Sequence, residues 1–200
     1  IRRQRQMCIR DREKALLQRL LNGFTEANTI LEVGCGTGHF TRWFRDLDLK
    51  PVGLDLSQAM LDVALALNGL VYIRGNALTI PIATNSFDLV ALITVLEFFR
   101  DPERALAEAL RVARQGILLG VLNKKSILGR RYQREGGPIW GSARLFTPQE
   151  LERMVRKITG ERVGIVWRTT LWPFWRGALA LPWGGFIGMA VHLAAKGEIV

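Results

Sequence analysis

The stretch Glu32-Val33-Gly34-Cys35-Gly36-Thr37-Gly38-His39-Phe40 constrains this chain more than any other. It follows a short apolar run at 29–33 that reads as a buried strand, and it leads into a helical pattern over 37–47. Glycines between a parallel strand and a helix let the backbone approach a ligand closely, at the carboxyl end of a sheet. Asp55 closes the next apolar run, 51–55, 17 positions beyond Gly38. In folds of this kind such an acid accepts hydrogen bonds from ribose hydroxyls. A dinucleotide fingerprint starting at Gly34 requires glycine at 39, where His39 stands, and no Gly-Lys-Ser/Thr follows to make a phosphate loop.

Strand and helix signals alternate on either side of that turn. An N-terminal helix carries Ala15, Leu16, Leu20 and Leu21 on one stripe and closes at Asn22-Gly23. Ser57 caps a helix ending at Asn68-Gly69, short β runs follow at 70–74 and 87–94, and Asp101-Pro102 starts a helix expected to reach about Arg114. A fifth strand is expected at 117–122. Thr147-Pro148-Gln149-Glu150 reads as a capping box with Phe146 and Leu151 as its staple, and two last strands fall near 161–168 and 186–193. The fold class is therefore α/β: a Rossmann-like three-layer sandwich over a seven-stranded, mostly parallel sheet, its last strand antiparallel, with a small lid insertion.

Two hundred residues fit one such domain. It divides into an N-terminal helix or arm at 1–28, a cofactor-binding half at 29–122, a lid at 123–145, and a C-terminal helix with two strands at 146–200. The chain opens on Ile1 rather than Met, which points to a start inside a longer natural sequence. Cys8 and Cys35 are its two cysteines, too few for a disulfide framework, so a reducing, cytoplasmic compartment is expected. Residues 177–195 carry no charge, but Pro182, Gly184, Gly185 and Gly188 favour a turn and a strand over a membrane span.

The net charge of +10 is unevenly spread. Residues 51–110 hold 3 basic against 7 acidic side chains, and residues 111–200 hold 15 against 5. Lys124, Lys125, Arg130, Arg131 and Arg134 crowd the lid. The cluster Trp172-Pro173-Phe174-Trp175 beside Arg168 and Arg176 has the make-up of an interfacial anchor. The partner of the basic region is expected to be anionic: a carboxylate- or phosphate-bearing substrate, a membrane surface met peripherally, or RNA. The first two are favoured, because no RNA-binding module is recognisable.

The run 30–41 resembles motif I of the class I S-adenosylmethionine-dependent methyltransferases, and Val52-Gly-Leu-Asp55-Leu56-Ser57-Gln-Ala-Met60-Leu61 resembles their second motif. Gly75-Asn76-Ala77, Ile80-Pro81 through Val90, Thr94 through Phe98, Asp101-Pro102 and Arg111-Val112 extend the likeness in order over 29–120. It is nearest to the type 11 small-molecule group, which includes quinone- and biotin-pathway enzymes. The resemblance implies S-adenosyl-L-methionine as cofactor, with S-adenosyl-L-homocysteine as product. It places Gly34, Cys35, Gly36, Thr37 and Gly38 along the methionine part, Glu32 in support of the loop, Asp55 on the ribose, Leu56 and Met60 beside the adenine, Asn76 and Ala77 at its edge, and Thr94 near the sulfonium. Position 76 is often Asp in the family; Asn76 can accept a hydrogen bond there but brings no charge.

Methyl transfer from a sulfonium requires alignment more than acid–base chemistry, so a base is needed only for a weakly acidic O–H or N–H acceptor. His39 and Glu97 are the catalytic candidates. The plainer readings are that His39 packs near the cofactor and that Glu97, where many type 11 members carry histidine, is solvated. His192 reads as a core histidine. Tyr132, Arg131 and Trp140 are the substrate-binding candidates. No His/Cys/Asp grouping has metal-ligand spacing, so no metal is expected. The expected activity is methyl transfer to a small apolar or amphipathic acceptor, with an RNA methyltransferase or a non-catalytic cofactor-binding subunit as alternatives.

Overall fold

A computed structural model describes residues 2–160, 163–171 and 177–193, with side chains from Ile9 onward apart from those of Asn68, Pro138 and Ile139. The elements run α1 (Arg2–Leu21), β1 (Thr29–Val33), α2 (His39–Arg45), β2 (Lys50–Asp55), α3 (Gln58–Asn68), β3 (Val71–Arg74) and β4 (Phe87–Ile93). A single 3₁₀ turn at Leu96–Phe98 precedes α4 (Pro102–Val112), β5 (Ala113–Leu122), α5 (Ile127–Glu135), α6 (Gly137–Trp140), α7 (Pro148–Thr159), β6 (Val163–Thr170) and β7 (Phe186–Leu193).

The seven strands form one sheet in the order β3-β2-β1-β4-β5-β7-β6. Six are mutually parallel, and β7 runs antiparallel to β5 and β6. The order reverses between β1 and β4, so the loops leaving those strands turn away from each other and open a crevice at their carboxyl ends. On one face Leu16, Leu17 and Leu20 of α1 and Trp43 and Phe44 of α2 share a core with Leu89, Leu118 and Ala190. On the other, Leu106 and Ala109 of α4 meet Leu151 and Val155 of α7 over Val90, Ile117 and Val191.

Local signals set several boundaries where expected. Ser57 caps α3 by accepting from the Met60 N–H, Asp101 caps α4 through Arg104, and the capping box of Thr147 and Glu150 is complete. Helix α4 ends two residues earlier than its periodicity implied, and β5 begins at Ala113 rather than 117. Pairing with β4 decides this: Ala113 sits opposite Phe87, with a register shift before Leu89 and Gly116 meet. Tertiary pairing here overrides helix propensity. Between β5 and α7 the chain forms α5, capped by Ser126 donated to by the Gly129 N–H, then α6. Leu128, Tyr132 and Trp140 pack against the core shared by α1 and α2. Glu161, Arg162, the Trp172-Pro173-Phe174-Trp175 cluster and Arg176 lie outside the described residues.

Candidate active site

Beyond β1 the backbone turns on Gly34, Gly36 and Gly38, all with positive φ. Two of these positions exclude any side chain. A Cβ on Gly34 would be driven into Val95, and one on Gly38 into the Tyr72 hydroxyl. The amides of Gly34 and Cys35 both bond to the Leu54 carbonyl at 2.7 and 3.1 Å, which fastens the loop to the end of β2. Gly34→Ala is expected to lower Tm by about 5 °C, since a left-handed alanine costs about 1–2 kcal/mol before Val95 is displaced. Thermal unfolding checks this, with Val95→Ala in the same chain recovering part of the loss. A shift under about 1 °C contradicts the crowding.

Asp55 ties the site together. One carboxylate oxygen accepts the Gly36 N–H at 2.8 Å and the other accepts the Ser57 N–H at 2.9 Å, so the side chain bridges the glycine loop and the start of α3. Beneath it Glu32 is buried and accepts from the Thr41 hydroxyl of α2, and burial pushes its carboxyl up to about 8. Thr37 contributes its carbonyl to Arg42 at 2.9 Å. Burial likewise raises the Cys35 thiol, so it stays protonated and is no nucleophile.

A cavity of about 470 Å³ opens beside this loop, in the size range of cofactor sites. Gly34, Asp55, Leu56, Asn76, Ala77 and Val95 are among its lining residues. Met60 is exposed on the neighbouring turn of α3 and is not among them. The Asn76 amide oxygen already accepts the Leu78 N–H at 2.9 Å, so one lone pair remains for a ligand. Thr94 follows the last residue of β4 in a left-handed conformation, φ 52°, held by its N–H on the Gly120 carbonyl at 2.7 Å. That kink turns the chain toward Val95 and the 3₁₀ turn.

Glu97 is not solvated, as its plainer reading had it. It is 1% exposed. One oxygen accepts the Leu122 N–H at 2.8 Å, the other has no hydrogen-bond partner, and burial raises the carboxyl to about 7. Glu13 of α1 faces the same region: burial raises it to about 7, and the charge of Glu97 adds to that shift. Tyr132 stacks on Trp140 with ring centroids 4.8 Å apart, and Trp140 lies 5.6 Å from Phe98, the neighbour of Glu97. Two substrate candidates thus join one aromatic cluster. Arg131 does not; it lies on the outer side of α5, paired with Glu135 at 2.7 Å.

His39 opens α2 against Phe40, with a buried Nε2 lacking any partner. Burial, aided by Lys14, Arg10 and Arg42, lowers its pKa to about 4, so the ring is neutral at physiological pH. His192 stacks on Phe24 at 4.1 Å and pairs with Gly116 near the start of β5, at the opposite end of the sheet from the glycine loop. No group of three His, Cys, Asp or Glu among the described residues is placed to hold a metal. Sequence reasoning missed Tyr72, Val95, Glu13 and Phe98. Tyr72 left a trace, an aromatic in register with Gly53 across β2 and β3, where the missing side chain makes room for a ring.

A family profile described as a methyltransferase domain matches residues 31–120. An uncharacterised protein of Methanocaldococcus jannaschii is 30% identical over 132 residues, 64% of this chain and 62% of its own length. Demethylmenaquinone methyltransferase of Renibacterium salmoninarum is 37% identical over 95 residues, 47% of this chain and 40% of that protein. The chain thus spans between two fifths and two thirds of these relatives. Among solved structures, a SAM-dependent methyltransferase of Thermotoga maritima, described as a possible histamine N-methyltransferase, superposes with a TM-score of 0.74 at 27% identity. The match covers 90% of this chain and 87% of that one. Residues 31–120 carry a methyltransferase domain of the type 11 group, and the fold around them is shared with S-adenosylmethionine-dependent methyltransferases of class I. Its cofactor is S-adenosyl-L-methionine.

Proposed function

We propose that this chain transfers a methyl group from S-adenosyl-L-methionine to a small apolar or amphipathic acceptor that presents an O–H or N–H to Glu97. When bound, the cofactor supplies an electrophilic methyl group on a sulfonium. The observation that carries the acceptor reading is the buried, unpartnered oxygen of Glu97 beside Phe98. A buried carboxylate oxygen without a donor costs about 1–3 kcal/mol or more, and an acceptor's O–H or N–H removes that cost. With a pKa near 7, Glu97 is suited to take a proton at physiological pH.

The remaining residues position and exclude. Asp55 holds a ribose while keeping the loop closed, Leu56, Asn76 and Ala77 frame an adenine, and the glycine amides receive the amino-acid end of the cofactor. Phe98, Trp140 and Tyr132 form the apolar wall that keeps water from the reacting methyl group. His39, neutral and lacking a partner at Nε2, serves as a hydrogen-bonding group near the loop rather than as the principal base. One relative carries demethylmenaquinone, an apolar quinone, in its name, which supports the apolar part of this reading alone.

Thermal unfolding with S-adenosyl-L-homocysteine and NAD in parallel tests the cofactor half of this reading. At 100 times its Kd a ligand stabilises the fold by about 2.7 kcal/mol, an upward shift of about 5–10 °C in a chain this size. The homocysteine product is expected to give that shift and NAD none. Stabilisation by NAD alone overturns the assignment.

A further inference from the structure

A second cavity, of about 500 Å³, lies away from the glycine loop, between α1, α5 and the segment that leads into β7. Its floor is apolar: Ile9 comes from α1, Ile127 and Leu128 from the first turn of α5, Leu171 follows β6, and Trp183 precedes β7. Two of these are unusually open, Ile127 at 69% exposure and Trp183 at 58%. Large apolar side chains gathered around one concavity, rather than scattered singly, mark a surface that something covers.

The remaining lining residues decide what that is. Arg12, Lys125, Arg130 and Arg131 stand around the groove, and among the described residues none that lines it is acidic. Arg131 is paired to Glu135 on the outside of α5. Among the described residues, Arg12, Lys125 and Arg130 make no ion pair. Some cations elsewhere are neutralised by carboxylates, as Lys157 is by Glu103 at 2.6 Å and Lys124 by Glu150 at 3.8 Å, but in this groove the cations gather around one apolar trough. Three unpaired cations around an apolar trough repel one another, and an anion at the rim relieves that repulsion. The long Arg and Lys stems extend the apolar floor while their charges stay at its edge.

We propose that this groove binds a single-chain anionic amphiphile, its alkyl chain along Ile9, Ile127 and Trp183 and its headgroup between Arg12, Lys125 and Arg130. The groove shares no lining residue with the cavity beside the glycine loop, and the proposal does not depend on the acceptor reading. It also gives a specific place to the basic surplus of the last ninety residues.

Isothermal titration of the whole chain with dodecyl phosphate, kept below its micelle concentration, tests the proposal, with dodecyl maltoside and inorganic phosphate as comparison probes. Dodecyl phosphate is expected to bind at least tenfold tighter than either. Arg12→Glu with Arg130→Glu, and separately Ile127→Asp, are each expected to weaken it at least tenfold. An aspartate in the first turn of a helix favours the helix, so Ile127→Asp is compatible with a folded chain. Affinity for S-adenosyl-L-homocysteine serves as the control and is expected to stay within twofold. Equal affinity for the neutral detergent, binding of phosphate alone, or unchanged affinity in both variants overturns the proposal. So does binding to anionic phospholipid vesicles without binding of the monomeric amphiphile.

Discussion

Asp55→Ala is expected to raise the Kd for S-adenosyl-L-homocysteine about 100-fold. The side chain has two tasks in one place. Its oxygens hold the Gly36 and Ser57 amides at 2.8 and 2.9 Å, so it shapes the loop before any ligand arrives. In the proposed complex its remaining lone pairs receive ribose hydroxyls. Hydrogen bonds to a charged group contribute about 1.5–3 kcal/mol each, and the loss of one ribose contact together with a slackened loop reaches the 2.7 kcal/mol that a factor of 100 requires. Asp55→Asn separates the two tasks. It keeps one accepting oxygen but loses the charge, and about tenfold weakening is expected. Titration calorimetry on both variants, with Tm measured alongside, reads the outcome. A Kd within threefold of the parent for Asp55→Ala removes the ribose role, whatever happens to Tm.

How far the sequence disclosed this site follows from which contacts are local. The glycine loop and the end of β2 were legible because the requirement is short-range: positive φ at Gly34, Gly36 and Gly38 asks for glycine by itself, and the acid at 55 falls at a strand end. The helix caps at Ser57, Asp101 and Thr147 were legible for the same reason. Contacts between distant segments were not. Tyr72 reaches the loop from β3, Glu13 of α1 comes under the charge of Glu97, and Phe98 in the turn after β4 meets Trp140; no periodicity announces which side chains will meet across those gaps. The early end of α4 belongs to the same class, because its cause is the pairing of Ala113 with Phe87 in another strand. Arg131 and Tyr132 part company in the same way: on α5 adjacent residues point about 100° apart, so Tyr132 meets Trp140 while Arg131 pairs with Glu135.

Glu97 carries the sharpest test, because its proposed role and its effect on stability have opposite signs. Burial lifts its carboxyl from the ordinary 4.5 to about 7, with Glu13 and Glu32 shifted the same way. Between those values the folded chain holds a proton that the unfolded chain has released, so stability present at low pH is lost as pH rises through about 7. Glutamine is the uncharged counterpart of the protonated acid. It retains an oxygen for the Leu122 N–H and places an amide where the unpartnered oxygen lies. Glu97→Gln is therefore expected to leave Tm nearly unchanged at pH 5. At pH 8 it is expected to stabilise the chain by about 3 kcal/mol, from about 1.4 kcal/mol per pKa unit, or about 5–10 °C. The same change removes the group proposed to take the acceptor's proton, and turnover is expected to fall at least 100-fold. A chain made more stable at pH 8 yet less active is the signature of a strained functional carboxylate. Thermal unfolding at the two pH values reads one half and methyl transfer the other; equal Tm changes at pH 5 and 8, or unimpaired transfer, would remove Glu97 from the mechanism.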